Sequence, residues 1–264
     1  MVEQVIHINL NESQRIVDLY AETESDYIAF TNDNCVVICD HNCRIDVDLM
    51  YPIIRRVDES TFLIADSRTE VSANLHIFDF NGRHINSFLA GDGIADILVH
   101  QEKIVVSYFD EGVFGDDGPN LDGLSVFDVN GTQLFGFNSS VISEGIADCY
   151  SMSKCTPNSI VFYAYDDFNV RMLNLDTLVI KEFVTPKGLR GASAISKEDH
   201  VIILHGIYGD KSTLYAWNES KSDVTEIGSY PPPLRGLTGG KFMAFGDKGY
   251  TLIDLSDEIS SAFS

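Results

Sequence analysis

The sequence predicts an all-β chain: a six-bladed β-propeller closed by pairing of its N- and C-terminal strands. Three observations carry that expectation. A short apolar segment ending in a polar turn recurs six times, the recurrence has the length of a four-stranded unit, and no run approaches the length of a membrane span. The clearest copies are Cys35-Val36-Val37-Ile38-Cys39-Asp40, Leu75-His76-Ile77-Phe78-Asp79 and Leu124-Ser125-Val126-Phe127-Asp128. Weaker copies are Val170-Arg171-Met172-Leu173-Asn174, Leu214-Tyr215-Ala216-Trp217-Asn218 and Tyr250-Thr251-Leu252-Ile253-Asp254. The terminal Asp or Asn steps by 39, 49, 46, 44 and 36 residues, close to the period of a propeller blade. Six such blades use up residues 1–264 as a single domain.

Each repeat divides into four strands, A to D. Strand B is a run rich in β-branched and aromatic residues: Tyr27–Thr31, Thr61–Ala65, Lys103–Phe109, Ser159–Tyr165, His200–His205 and Lys241–Phe245. Strand C is the recurring motif. Asn81-Gly82 and Asn130-Gly131 then supply the pair that a type I′ hairpin favours, because both central residues need positive φ. Strand D follows as His84–Leu89, Gln133–Phe137 and Leu178–Val184. The alternating segment Val5–Leu10 precedes the first strand A, where a strand D belongs. It is expected to complete the last blade and close the ring, with Ile259–Phe263 as the competing segment.

Composition narrows the function classes. The chain holds 40 acids and 18 bases, a net charge of −22. Residues 1–140 carry 24 acids against 7 bases, and residues 141–264 carry 16 against 11. A field of that sign repels nucleic acid and anionic lipid and draws cationic partners inward. The first residues alternate polar and apolar and include acids, unlike a signal peptide. Five cysteines without a secretory signal read as reduced thiols, so a cytoplasmic location is expected.

The architecture places candidate residues. In a propeller the B–C and D–A loops open on one face, and here they hold the unusual residues. The longest B–C loop contains Asp110, Glu111, Phe114, Asp116, Asp117 and Asp122, and the corresponding loop of the next blade contains Asp166, Asp167 and Phe168. Carboxylates surrounding aromatic anchors, with Tyr108 and Tyr165 nearby, are what a protein-binding hot spot needs. The same Asp residues could serve only to cap turns. Asp96 and Asp148, at matching positions of strand A, are expected at the channel mouth, with Asp18 as a weaker third.

Metal and catalytic signals are weaker. Asp110, Asp116, Asp117 and Asp122 could offer oxygens to calcium, but not with EF-hand spacing. Cys35, Cys39 and Cys43 with His41 have the residue types of a zinc site. Along a strand, however, Cys35 and Cys39 are about 13 Å apart, so they read as small apolar side chains. No metal and no cofactor is expected. Gly-x-Ser-x-Gly, phosphate-loop and His-Glu-x-x-His motifs are missing from the sequence. Asp96, Asp148 or His205 could still serve a hydrolase or lyase acting on a small or sugar-like substrate.

The chain resembles six-bladed β-propeller proteins over its whole length, by period rather than by a family signature. The segments Ser107-Tyr108-Phe109-Asp110-Glu111-Gly112-Val113-Phe114-Gly115, Asp148-Cys149-Tyr150 and Tyr165-Asp166-Asp167-Phe168 resemble an uncharacterised family of bacterial propeller-like proteins. In charge and size the chain also resembles immunity proteins of bacterial contact-dependent growth inhibition systems. That second resemblance implies a non-catalytic cytoplasmic protein that binds and neutralises a basic toxin, commonly a nuclease domain.

Overall fold

A computed structural model of the chain describes residues 1–39, 41–69, 72–140, 145–165, 167–221 and 223–263. Among these residues the strands form six four-stranded sheets, the blades of a six-bladed β-propeller. Strand β1 (Val2–His7) comes first in the chain but belongs to the last sheet. Blade 1 is β2 (Ile16–Ala21), β3 (Tyr27–Thr31), β4 (Cys35–Ile38) and β5 (His41–Arg44). Blade 2 is β6 (Pro52–Arg56), β7 (Thr61–Asp66), β8 (Leu75–Asp79) and β9 (His84–Phe88). Blade 3 is β10 (Ile94–His100), β11 (Lys103–Tyr108), β12 (Leu124–Asp128) and β13 (Gln133–Gly136); helices α1 (Asp110–Val113) and α2 (Phe137–Ser140) flank it. Blade 4 is β14 (Asp148–Thr156), β15 (Ser159–Tyr165), β16 (Val170–Asn174) and β17 (Ile180–Phe183). Blade 5 is β18 (Ala194–Glu198), β19 (Val201–Ile207), β20 (Asp210–Asn218) and β21 (Asp223–Ser229). Blade 6 is β22 (Arg235–Gly236), β23 (Lys241–Gly246) and β24 (Gly249–Asp254), followed by helix α3 (Ser256–Ala262).

The last sheet runs β1-β24-β23-β22, so the N-terminal strand closes it as expected. The strand lies three residues earlier than the alternating pattern suggested, at Val2–His7 rather than Val5–Leu10. The competing segment is helical: α3 has Asp257 and Glu258 in its first turn, where the helix dipole favours negative charge, and buries Ile259. The chain divides into two compact units. One comprises Met1–Val5, Ile146–Ala244 and Thr251–Ser264, and the other Ile6–Gly145 and Phe245–Tyr250.

The recurring Asp or Asn has a physical cause. Asp79 accepts the N–H groups of Asn81 and Arg83 at 2.9 and 3.0 Å through one carboxylate oxygen. Asp128 does the same for Asn130 and Thr132 at 2.9 and 2.8 Å. Asn174, Asn218 and Asp254 likewise cap N–H groups two residues on. Asp40 lies outside the described residues. The Asn-Gly turns are not type I′, because only the glycines, Gly82 at φ 80° and Gly131 at φ 87°, have positive φ. The Asp cap instead selects a three-residue loop whose left-handed glycine forms a bulge.

Burial is greatest in the middle strands of a blade and least in the outer ones. Strands β3, β4, β11 and β15 are almost wholly buried, whereas β1, β5 and β21 are mostly exposed and carry charged or polar residues such as Glu3, Arg44 and Glu226. Polar outer strands leave an edge unsuited to pairing with other chains. The core consists of apolar layers between successive blades. Leu63, Leu75 and Ile77 of blade 2 meet Ile97, Ile104 and Phe127 of blade 3. Val161, Tyr163 and Val170 of blade 4 meet Ile195, Leu204 and Trp217 of blade 5.

Candidate functional site

The long loop of blade 3 is built rather than loose. Gly112 and Gly93 lie back to back: a Cβ on Gly93 would collide with the Gly112 backbone and one on Gly112 with the Asp92 carbonyl, so α1 can rest on the turn around Gly93. Buried Asn120 ties the loop together. Its Nδ2 donates to the Gly112 carbonyl at 2.7 Å, and its Oδ1 accepts the Asp92 N–H at 3.3 Å. Arg68 packs over the Phe109 ring, pairs with Asp92 at 3.1 Å and donates to Glu111 at 2.5 Å.

This framework sorts the expected residues. Phe114 is 75% exposed at the loop tip, and Asp110, Asp116 and Asp117 are exposed near it in sequence. None of those three carboxylates is ion-paired among the described residues. Glu111 is exposed but engaged by Arg68. Asp122 corrects the expectation of a partner-binding residue: it is buried, accepting Gln133 Nε2 at 2.7 Å and the Ser139 N–H at 2.9 Å. It fastens the loop to β13 and α2, and those bonds occupy oxygens that a calcium site would have needed.

Asp96 and Asp18 meet at a residue the sequence reading passed over. Arg55 is 1% exposed, and its guanidinium donates to Asp18 at 2.8 Å, to Asp96, and to the Ile97 carbonyl at 2.6 Å. Asp18 also accepts the Ile54 N–H at 2.8 Å, which links strand A of blade 1 to strand A of blade 2. The guanidinium carbon lies 5.1 Å from the Tyr20 ring centroid. Burial, then the nearby Glu22 charge, raises the Tyr20 phenol well above its ordinary value. Asp96, ion-paired to a buried cation of the neighbouring blade, reads as a rivet between blades. The available signal was Arg55 itself, a charge directly after Ile53-Ile54 in a short strand, though Arg56 beside it looks the same in sequence.

Asp96 and Asp148 do not occupy matching positions. Asp96 pairs with Ser107, and Ser107 pairs with Leu124, the first residue of strand C. In blade 4 the same count runs from Val170 through Tyr163 to Ser151. Asp148 lies three residues earlier and pairs with Tyr165, although blades 3 and 4 share the same bulge, between Ile94 and Asp96 and between Cys149 and Ser151. Asp18 is the true counterpart of Asp96, through Phe30 and Val36.

The blade 4 loop also departs from expectation. Asp166 lies outside the described residues. Asp167 pairs with Arg171, which is almost fully buried and also meets Glu182 at 3.0 Å. Phe168 is not an exposed anchor: it is 7% exposed and adopts φ 61° in the turn. It packs among Tyr150, Tyr163, Tyr165 and Tyr208, with ring centroids 5.2 to 6.3 Å away. The Tyr150 and Tyr208 hydroxyls share a hydrogen bond of 2.5 Å. Burial, then that bond, raises the Tyr150 phenol.

His205 is buried, and its Nε2 donates to the Tyr230 carbonyl at 2.8 Å. Burial pushes its pKa down, so the ring is a neutral core histidine. The five cysteines are free thiols. Cys35 is buried, Cys43 faces Val36 across the ladder, and burial pushes the Cys43 thiol up to about 11. Among the described residues no three His, Cys, Asp or Glu side chains converge as a metal site would require.

No family model and no curated protein matches the chain. Solved structures do resemble it. PorZ, a bacterial surface component of the type-IX secretion system of Porphyromonas gingivalis, matches with TM-score 0.56 and 12% identity, covering 96% of this chain and 33% of that one. The extracellular domain of BT4673 from B. thetaiotaomicron matches with TM-score 0.52 and 10% identity, over 86% of this chain and 30% of that one. Hsv2 of Kluyveromyces lactis matches with TM-score 0.56 and 14% identity, over 89% and 72%. The chain thus spans about a third of the first two proteins. At such identities the likeness shows the propeller fold alone.

Proposed function

We propose that the protein is a non-catalytic binding protein whose acidic loop in blade 3 receives a basic protein partner. In its most specific form the reading is an immunity protein that occupies the phosphate-binding cleft of a toxin nuclease. The observation that carries it is Phe114, which is 75% exposed on a loop that Asn120, Asp122 and two facing glycines hold in place. Asp110, Asp116 and Asp117, within four residues of it in sequence, are likewise exposed. A preorganised aromatic flanked by carboxylates gives a cation-rich partner both steering and a buried contact. Of the similar solved structures, one is a bacterial surface component and another an extracellular domain. Five free thiols favour a reducing compartment for this chain instead.

The test begins with co-purification from the source cells at low salt, followed by kinetics on the purified pair. Association is expected to slow at least about tenfold between about 50 and about 300 mM salt. Phe114→Ala should speed dissociation about tenfold and leave association unchanged. A partner without a basic surface, or association indifferent to salt, overturns the electrostatic reading. A basic partner whose nuclease activity persists in the complex overturns the immunity form alone.

A further inference from the structure

The B–C turns of blades 4 and 5, with the segment joining those blades, build a second surface that the acidic loop does not explain. Phe168 is its floor. Tyr165 meets Phe168 at 83° and 5.2 Å, and Tyr208 meets it at 83° and 5.8 Å. Tyr150 lies nearly parallel to Tyr165, at 16°, and steeply to Tyr208, at 74°. The rings therefore form an aromatic corner with three steeply crossed orientations, rather than one stack. Tyr165 is 40% exposed and Tyr208 51% exposed, so two of its walls face solvent.

The corner is a built feature. Tyr208 stands at the tip of the β19–β20 hairpin, and its ring lies so close to the Gly191 backbone that a Cβ there would collide with it. Gly191 sits at φ 81°, a conformation glycine adopts freely. The Tyr208 N–H donates to the Arg190 carbonyl at 2.8 Å, and the Tyr208 hydroxyl is fixed by Tyr150. Two partly exposed tyrosine rings are thus fixed in place before a ligand arrives, which lowers the entropy cost of binding.

Charge identifies the ligand class. The Arg190 guanidinium lies 5.2 Å from the Phe168 centroid and the Lys211 ammonium 5.5 Å from that of Tyr208. Both side chains are exposed, and neither has a carboxylate partner among the described residues. In a chain of 40 acids and 18 bases, two cations on one aromatic cluster with no carboxylate partner among the described residues call for an anionic ligand. Arginine in particular matches a carboxylate bidentately. The exposed rings call for a ligand with an apolar face, and the phenol rim calls for one with hydroxyls.

We propose that this corner binds an acidic saccharide of the hexuronic- or sialic-acid type. One pyranose C–H face stacks on an exposed tyrosine, and the sugar carboxylate is held by Arg190 and Lys211. The site uses none of the residues of the acidic loop, and its test does not depend on the protein partner.

The test is calorimetric titration of the full chain with trigalacturonate, a hyaluronan tetrasaccharide and 3′-sialyllactose, with neutral cellotriose as control. At least one acidic oligosaccharide should bind with a Kd below about 1 mM, and cellotriose at least about tenfold more weakly. Tyr208→Ala and Arg190→Gln should each weaken binding at least about tenfold with the thermal midpoint unchanged. Lys211→Gln provides a third exposed variant should either of those unfold. Absence of binding by all three acidic oligosaccharides at about 10 mM, equal binding of cellotriose, or binding that survives the substitutions would overturn the proposal.

Discussion

Arg55→Met removes one buried cation and keeps most of its volume. In the native chain that guanidinium serves Asp18, Asp96 and the carbonyls of Ile54 and Ile97. Its loss leaves Asp18, buried, and Asp96, mostly buried, without their counter-charge. Breaking a buried ion pair from one side costs about 3–5 kcal/mol, and the carbonyls that lose a donor add about 1 kcal/mol. A chain of 264 residues unfolds with an entropy of about 0.55 kcal/mol/K, so each kcal/mol lowers Tm by about 2 °C. Arg55→Met should therefore lower Tm by roughly 7–11 °C, read by scanning calorimetry and by circular dichroism. The same substitution in an Asp18→Asn, Asp96→Asn background should cost less than about 2 kcal/mol, because no buried charge is then stranded. A fall under about 2 °C, or an equal fall in both backgrounds, would refute the rivet.

Three further outcomes follow from the same geometry. Asp122→Ala should destabilise by about 1–3 kcal/mol and open residues 110–122 to proteolysis; an unchanged digestion pattern would show that Asp122 does not fasten the loop. Burial raises the Asp254 carboxyl, but bonds from Lys241 and Ser256 bring it down to about 2. A depressed folded-state pKa gives stability that is complete above the unfolded value near 4 and is lost as pH falls toward 2. The stability gap between wild type and Asp254→Asn should thus close between about pH 5 and 2, and a constant gap would deny the Lys241 pair. Burial pushes the Cys43 and Cys155 thiols up to about 11, so iodoacetamide at about pH 8 should label them at least about tenfold more slowly than glutathione. Mass spectrometry showing equal rates would contradict their burial.

The fold was legible because one local interaction repeats. An Asp or Asn at the end of strand C caps its turn, and a side chain bonded to backbone two residues away leaves a trace in sequence whatever the family. Strand Ser159–Tyr165 and three copies of the motif match the strands residue for residue. What stayed hidden depends on distant partners. Asp122 looks like its neighbours Asp116 and Asp117 in sequence, and only Gln133 and Ser139 decide that it turns inward. Phe168 looks like Phe114, but it adopts a positive φ and packs among four tyrosines. Asp148 follows the same Gly-Ile-Ala triplet as Asp96, but the ladder aligns Ser151, three residues on, with Asp96. Arg55 was visible as a charge in an apolar strand, but its two carboxylates lie on other blades.

Taking the outer strand of the last blade from the start of the chain sets an order of events in folding. Blades 1 to 5 can each be completed by segments adjacent in sequence, at a low cost in loop closure. The sixth cannot, because β1 must wait for β24, from His7 to Gly249 along the chain. Contacts of such separation form late and slowly. During that interval β1 is an unpaired strand, and Glu3, Gln4 and His7 among its six residues keep it poorly suited to pairing with a stranger. The final ladder acts as a clasp, and its rate of fastening, more than the stability of any one blade, sets how long the chain is exposed to misassembly.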